Sequence, residues 1–273
     1  MIPASFDYRR VETFAEAVAA LVEHGDEAKL LAGGHSLIPL MKLRLATPSV
    51  LIDLGRVRDG SYVRDVGDHL AIGALTRHHD VEHSDLVRGQ FPLLAAVAGM
   101  VGDPQVRHRG TIGGSIAHGD PASDLPAVLL AGGASLVVVG PGGERVVAID
   151  DFFRGFLETA LGPDEALVEI RLPKAPDAGW SYQKFNRRAQ DWAVVGVAAL
   201  RNGATRIGLV NMGPTPVRAG AAEAALAAGA SAADAAMLAA DGTQPTSDLN
   251  AGSEYREHLA RVLTRRALVE AGA

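Results

Sequence analysis

Leu30-Leu31-Ala32-Gly33-Gly34-His35-Ser36-Leu37-Ile38-Pro39 is an apolar run that stops at two adjacent glycines, passes a small polar pair and turns apolar again. The spacing predicts a strand over residues 29–31 and a tight turn after it. Paired glycines admit positive φ and let another group approach without meeting a Cβ. Successive N–H groups in such a turn can converge on an anion. A second stretch, Thr111-Ile112-Gly113-Gly114-Ser115, lies 80 residues on, counted from Gly33 to Gly113, and its glycines are again flanked by hydroxyl residues. Taken singly, either pair reads as a turn. Together they suit two loops closing on a doubly negative pyrophosphate, where each charge-assisted hydrogen bond contributes about 1.5–3 kcal/mol.

The rest of the composition narrows the field. The 273 residues are 48% hydrophobic and 21% charged, as in a soluble globular protein of one large or two modest domains. A net charge of −6 leaves no electrostatic footprint for nucleic acid. There is no cysteine, which excludes disulfides, Cys-ligated zinc and iron–sulfur clusters within the chain and fits a cytoplasmic protein. Residues 1–10 lack a basic segment followed by an apolar core, so no secretory signal is read there. The most apolar uncharged stretch, 125–140, is 16 residues and is interrupted by Pro126 and glycines. It is too short to span a bilayer.

Working outward along the chain, Thr13-Phe14-Ala15-Glu16 reads as a capping box. It starts a helix with Phe14, Val18, Leu21 and Val22 on one face and Gly25 as its stop. With a strand over 50–53, the first 55 residues form a small α/β unit that holds the glycine turn. The polar stretch 55–68 marks an internal boundary. Beyond it come a strand over 69–74, a short helix capped by Thr76, a helix over 92–100 opened by Pro92, and a helix over 125–131. Strands over 135–139, 145–149 and 167–172 follow, the first two joined at Pro141-Gly142-Gly143. Pro173 to Gly179 reads as a linker. After it the pattern predicts strands over 181–186, 193–200 and 206–211 and Ala-rich helices over 221–228 and 232–240. A last helix is capped by Ser253, with Tyr255, Leu259, Val262 and Leu263 on one face. The chain is thus α+β: residues 1–176, with subdomains about 1–55 and 56–176, then 177–273 as an antiparallel sheet with helices.

Several chemistries find little support. Neither G-x-G-x-x-G nor a glycine loop ending in Gly-Lys-Ser/Thr occurs. His78, His79 and His83 supply an i, i+4 pair on a helix, with Asp80 and Glu82 nearby. Without H-E-x-x-H or a distant third ligand they read as a solvated helix face, and no metal is assigned. No serine sits in a G-x-S-x-G elbow, so Ser36 and Ser115 belong to the cradles and no catalytic residue is assigned. Asp124 alone reads as a helix N-cap, Lys184 as a strand-edge lysine, and Trp192 as a core or interface residue.

Both glycine stretches, with Ile2-Pro3-Ala4-Ser5-Phe6-Asp7-Tyr8, Leu43-Arg44-Leu45, Gly119-Asp120-Pro121-Ala122-Ser123-Asp124-Leu125-Pro126 and the closing Tyr255-Arg256 to Arg265-Arg266-Ala267, carry a resemblance over the whole chain. It resembles the FAD-binding medium subunits of the molybdenum hydroxylases, the xanthine dehydrogenase family, and within it the branch that oxidises carbon monoxide. Relatives acting on nicotine, caffeine and aldehydes share the motifs.

The resemblance implies a PCMH-type FAD-binding domain of two α/β subdomains, a C-terminal domain after it, and FAD between them. It implies that Ala32, Gly33, Gly34, His35, Ser36 and Leu37, with Thr111, Ile112, Gly113, Gly114 and Ser115, hold the pyrophosphate. The position of Asp124 contacts the flavin nucleotide, that of Leu167 lies against it and that of Lys184 reaches its ring region. Asp191-Trp192 falls where an aromatic residue stands by the isoalloxazine, although tyrosine or phenylalanine is more usual there. Implied partners are a large molybdopterin-binding catalytic subunit and a small subunit with two [2Fe–2S] clusters, in a dimer of heterotrimers. Electrons would pass to an external acceptor such as a quinone, in the cytoplasm, with any membrane contact made through the complex. Two other readings stay open: a stand-alone reductase of the UDP-N-acetylenolpyruvoylglucosamine type, and a scaffold without cofactor.

Overall fold

The computed structural model describes residues 2–273. The first unit contains β1 (Asp7–Arg10), α1 (Phe14–His24), β2 (Ala28–Leu31), α2 (Leu37–Lys42) and β3 (Val50–Asp53). Its strands make a parallel sheet in the order β1-β3-β2. Thr13 Oγ1 accepts the Glu16 N–H at 3.1 Å, and the Glu16 carboxylate takes the N–H of Glu12 at 2.8 Å. The reciprocal bond of the capping box therefore lands one residue earlier than expected. Helix α1 buries Ala17, Ala20 and Leu21 against Val50, Ile52 and Leu54, and Val18 is buried as well. Val22, expected on that face, is more than half exposed, because it is turned about 100° from Leu21.

The second unit begins with the hairpin β4 (Val63–Val66) and β5 (His69–Gly73). Six helices follow: α3 (His78–His83), α4 (Asp85–Gln90), α5 (Pro92–Ala98), α6 (Pro104–Arg107), α7 (Ile112–His118) and α8 (Asp124–Gly132). Then come β6 (Ser135–Gly140), β7 (Gly143–Ala148), the small hairpin β8 (Phe153–Gly155) with β9 (Glu158–Thr159), and β10 (Ala166–Pro173). The main sheet runs β4-β5-β10-β6-β7 and is antiparallel throughout. Strand β4 falls within the stretch read as a polar boundary. Thr76 does not cap α3, because its hydroxyl is committed elsewhere: it donates to the Tyr62 carbonyl at 3.0 Å and accepts the Tyr62 N–H at 3.1 Å. Arg77 takes the cap position.

A register shift between Leu167 and Glu169 makes Val168 the extra residue of a bulge in β10. The Val168 carbonyl then receives the Ala74 N–H at 2.9 Å, beyond the end of β5. Bulges re-aim neighbouring side chains, and Leu167, beside this one, is buried in the wall of the cleft described below.

The third unit is the antiparallel sheet β11 (Gly179–Phe185), β12 (Val195–Asn202), β13 (Ala204–Val210) and β14 (Val217–Arg218). It carries α9 (Gly220–Ala227), α10 (Ala232–Met237) and α11 (Ser253–Glu270). Gly252, not Ser253, is the cap of α11. Its buried face is led by Arg256 rather than Tyr255, which is half exposed and meets Phe185 edge-on. A fully buried arginine is tolerable because its guanidinium donates to the Val194 carbonyl at 2.5 Å and to Asp248 at 2.7 Å.

Helix α8 joins the last two units. Every residue from Asp124 to Ala131 is buried, the pattern of a helix covered on all sides. One side faces the helices and sheet of the second unit, the other lies on β13 and β12. At Gly208 the approach is so close that a Cβ would stand 2.0 Å from the Ala127 carbonyl oxygen. A single core cluster therefore runs from Leu70 and Phe91 through Leu129 to Ala198 and Val210. Among the described residues, no helix is long and apolar enough to cross a membrane.

Candidate functional site

A cleft of about 740 Å³ opens where the three units meet. That volume lies within the range of small-molecule and cofactor sites, roughly 300–1,000 Å³. Its walls hold Ala32 to Leu37, Thr111, Gly113 to Ser115, Asp124, Leu167, Lys184 and Asp191-Trp192. Of the residues expected from the sequence, Ile112 alone is absent, because its side chain is fully buried in the core behind its loop.

The two glycine loops differ in what they offer. In the first, Gly34 has φ +79°, which a residue with a Cβ adopts only under strain. Among the described residues, no protein acceptor takes the N–H groups of Ala32 to Ser36. Gly33 packs so tightly that a Cβ would stand 2.4 Å from the Arg109 carbonyl oxygen, just before the second loop. In the second loop the amides of Ile112 to Ser115 are already engaged. Ile112 donates to the Thr76 carbonyl and Gly113 to that of Ala74, both at 2.9 Å. Gly114 donates to Thr111 Oγ1 at 3.1 Å and Ser115 to the Thr111 carbonyl at 3.0 Å. The two loops, alike in sequence, thus differ in how many of their amides the protein itself engages. Gly113 is small because α7 sits on the end of β5: a Cβ there would lie 2.4 Å from that of Ala74. Toward the cleft this loop presents the half-buried Ser115.

Asp124 and Lys184 meet on the opposite wall. Lys184 Nζ lies 2.8 Å from Asp124 Oδ2, and the Tyr182 hydroxyl donates to Asp124 Oδ1. Ser123 is the helix cap and Asp124 the first residue of α8, a position where the helix dipole favours a carboxylate. Burial pushes the Asp124 carboxyl up, against the opposite pull of Lys184 and Tyr182. Burial likewise raises the Tyr182 hydroxyl well above its ordinary value. Tyr182 went unnoticed in the sequence. Its signal was there, since residues two apart on a strand share a face, and Tyr182 and Lys184 are such a pair.

Three further groups complete the walls. His78, on α3, is buried with its Nδ1 unpartnered, and burial holds its imidazole down to about 4, hence neutral at pH 7. Glu165 accepts from Arg145 Nε and Nη2 at 2.7 and 2.5 Å and from the Gly162 N–H at 2.7 Å. The Arg145 bonds hold its carboxyl below the ordinary range. Asp191 accepts from Arg188 at 3.1 Å and from the Trp192 N–H at 3.0 Å. Trp192 is 58% exposed, on the loop between β11 and β12 that borders the cleft, so of the two roles read for it, core or interface, the core is excluded.

Two family models match the chain. One, described as the FAD binding domain in molybdopterin dehydrogenase, matches residues 4–175. The other, the CO dehydrogenase flavoprotein C-terminal domain, matches 180–271. The carbon monoxide dehydrogenase medium chain of Hydrogenophaga pseudoflava is 43% identical, with 100% of this chain and 99% of that one covered. That of Afipia carboxidovorans is 40% identical at the same coverage. A solved carbon monoxide dehydrogenase structure from Hydrogenophaga pseudoflava superposes with a TM-score of 0.95 at 44% identity, over 100% of this chain and 99% of that one.

Proposed function

The chain belongs to the FAD-binding medium subunits of the molybdenum hydroxylases, the carbon monoxide dehydrogenase-like oxidoreductases, and from that premise we propose that it is the electron-relay subunit of a carbon monoxide-oxidising assembly. The large molybdopterin-binding subunit and the small iron–sulfur subunit are its partners in this reading, in a dimer of heterotrimers. The bound flavin would supply two-electron redox chemistry between the clusters of the small subunit and an external acceptor such as a quinone.

One observation carries the reading: a cleft large enough for the cofactor has on one wall a loop whose amides, Ala32 to Ser36, have no protein acceptor among the described residues. Free N–H groups around a positive-φ glycine fit a pyrophosphate, so the residues present fit FAD. In this assignment Ala32 to Ser36 bind the pyrophosphate through the backbone, and Ser115 adds a hydroxyl from the facing loop. Asp124, fixed by Tyr182 and Lys184, contacts the nucleotide, while Leu167 excludes water beside it. Lys184 holds a positive charge toward the ring region, and Trp192 covers it from the edge. Residues 1–176 provide most of the binding walls and 177–273 close the cleft.

The test is the visible spectrum of the purified full-length chain titrated with FAD. Yellow absorbance retained through gel filtration is expected, together with co-purification of molybdenum- and iron–sulfur-bearing chains from a host that makes all three. A chain that stays colourless sinks the flavin reading. Turnover with NADPH in the absence of partners would favour a stand-alone reductase.

A further inference from the structure

The i, i+4 pair His79 and His83 lacks a third ligand in the sequence pattern, and the fold supplies one. His108, at the end of α6, brings its ring to 4.0 Å from that of His79, centroid to centroid, and the His83 ring lies 4.2 Å from the His79 ring. Ligand atoms of His79, Glu82 and His83 already lie within 4.8 Å of one another, and His108 joins that set only once its ring has turned. We propose that His79, His83 and His108 form a three-imidazole site for a borderline divalent ion, Zn²⁺ foremost, that staples α3 to residues 103–110.

The argument rests on how firmly the two segments are already aligned. The His78 N–H donates to the Gly110 carbonyl at 3.0 Å. The Arg77 guanidinium donates to the carbonyl of Arg109, and Arg107 Nε binds Glu82 at 2.9 Å. These contacts flank the three rings, so closing the site needs side-chain rotation and little backbone movement. His83 is also oriented as a ligand should be. Its Nδ1 donates to the His79 carbonyl at 2.9 Å, which leaves Nε2 with a free lone pair, the outer-partner arrangement usual for metal-bound histidine. His83 and His108 are exposed and His79 half-buried, so an ion can enter from solvent. Three neutral imidazoles suit Zn²⁺, Ni²⁺ or Cu²⁺ rather than Mg²⁺ or Ca²⁺. Glu82 is already held by Arg107 and serves as nearby negative charge, not as a required ligand; water would take the open position.

The experiment is calorimetric titration of the full-length, untagged chain with zinc chloride, alongside His79→Gln, His83→Gln and His108→Gln. One saturable equivalent of zinc is expected. Each variant should weaken binding by more than the roughly 10–100-fold that follows loss of an outer partner. Zinc should raise the melting temperature of the parent chain but not that of the His108→Gln variant. Circular dichroism of each variant without zinc establishes that it is folded, and His83→Gln, at the most open position, serves if another is not. No saturable zinc binding overturns the proposal. So does binding that survives His108→Gln unchanged, since the ion would then sit on the α3 pair alone.

Discussion

Lys184 Nζ lies 2.8 Å from Asp124 Oδ2, and the two side chains are only 10% and 8% exposed. This contact joins the end of β11 to the first turn of α8, across a boundary that the sequence marks with a proline-rich linker. Removing one member of a buried pair strands the other, at a cost of about 3–5 kcal/mol. Lys184→Met is therefore expected to lower unfolding free energy by that amount. In Asp124→Asn/Lys184→Met no charge is left behind, and the double variant should lose much less than the summed singles. Urea denaturation at fixed pH measures the cycle, and additive losses would count against the pair.

Gly33 offers a sharper test of the first loop. With a Cβ only 2.4 Å from the Arg109 carbonyl oxygen, Gly33→Ala must push two backbones apart. A loss of about 1–3 kcal/mol is expected, together with weaker FAD retention. Gly142, whose Cβ would meet nothing within 4 Å, is the control. Gly142→Ala should stay within about 0.5 kcal/mol of the parent chain and bind FAD unchanged. Melting curves and flavin titrations of both variants decide the matter.

Glu165 sets an acid limb. Its folded carboxyl is held below the ordinary value of 4.5, first by the Arg145 hydrogen bond. The unfolded chain then binds more protons than the folded one as pH falls through that region. Stability from this group is therefore full above about pH 4.5 and is lost on further acidification. Arg145→Ala should flatten the limb: the parent and variant should differ at neutral pH and converge in acid. Because Arg145 is partly exposed, the difference should be small. Urea midpoints over a pH series read it directly.

Arg256 anchors the loop that carries Trp192. Its Nη1 donates to the Val194 carbonyl at 2.5 Å inside the core. Arg256→Met leaves that carbonyl stranded, at about 1–3 kcal/mol. Amide exchange should quicken over residues 187–194 more than in α8. A uniform rise across the chain would mean that the arginine stabilises the fold without holding the loop. Arg256→Lys keeps one donor and should fall between the two.

How much of this was readable beforehand differs by residue. The end of β2 and the turn after it were legible because strand, paired glycines and a return to apolar residues follow one another within ten positions, whereas helix α2 was not expected there. Strand β1 was not, since Asp7-Tyr8-Arg9-Arg10 is exposed throughout and is held by pairing with β3. Both glycine pairs looked alike in sequence, yet the second spends its amides on Ala74 and Thr76, acceptors that only the tertiary fold brings near. The partnership of Tyr182 with Asp124 spans 58 residues, and a local pattern shows a shared strand face without naming what it faces. His108 meets His79 for the same reason: the helices α4 to α6 between them fold back, and spacing alone does not say so.

Helix α8 leaves the ribosome before the strands that cover half of it have been made. Until β12 and β13 emerge, its apolar flank around Ala127 and Leu130 has no partner, and nascent chains with such surface bare are prone to associate. A polypeptide stopped at Pro173 should therefore aggregate, whereas the complete chain should not. If that shorter polypeptide stays monomeric in light scattering, α8 needs no later partner. If it aggregates, the first two units acquire their native surface only once β12 and β13 have been translated.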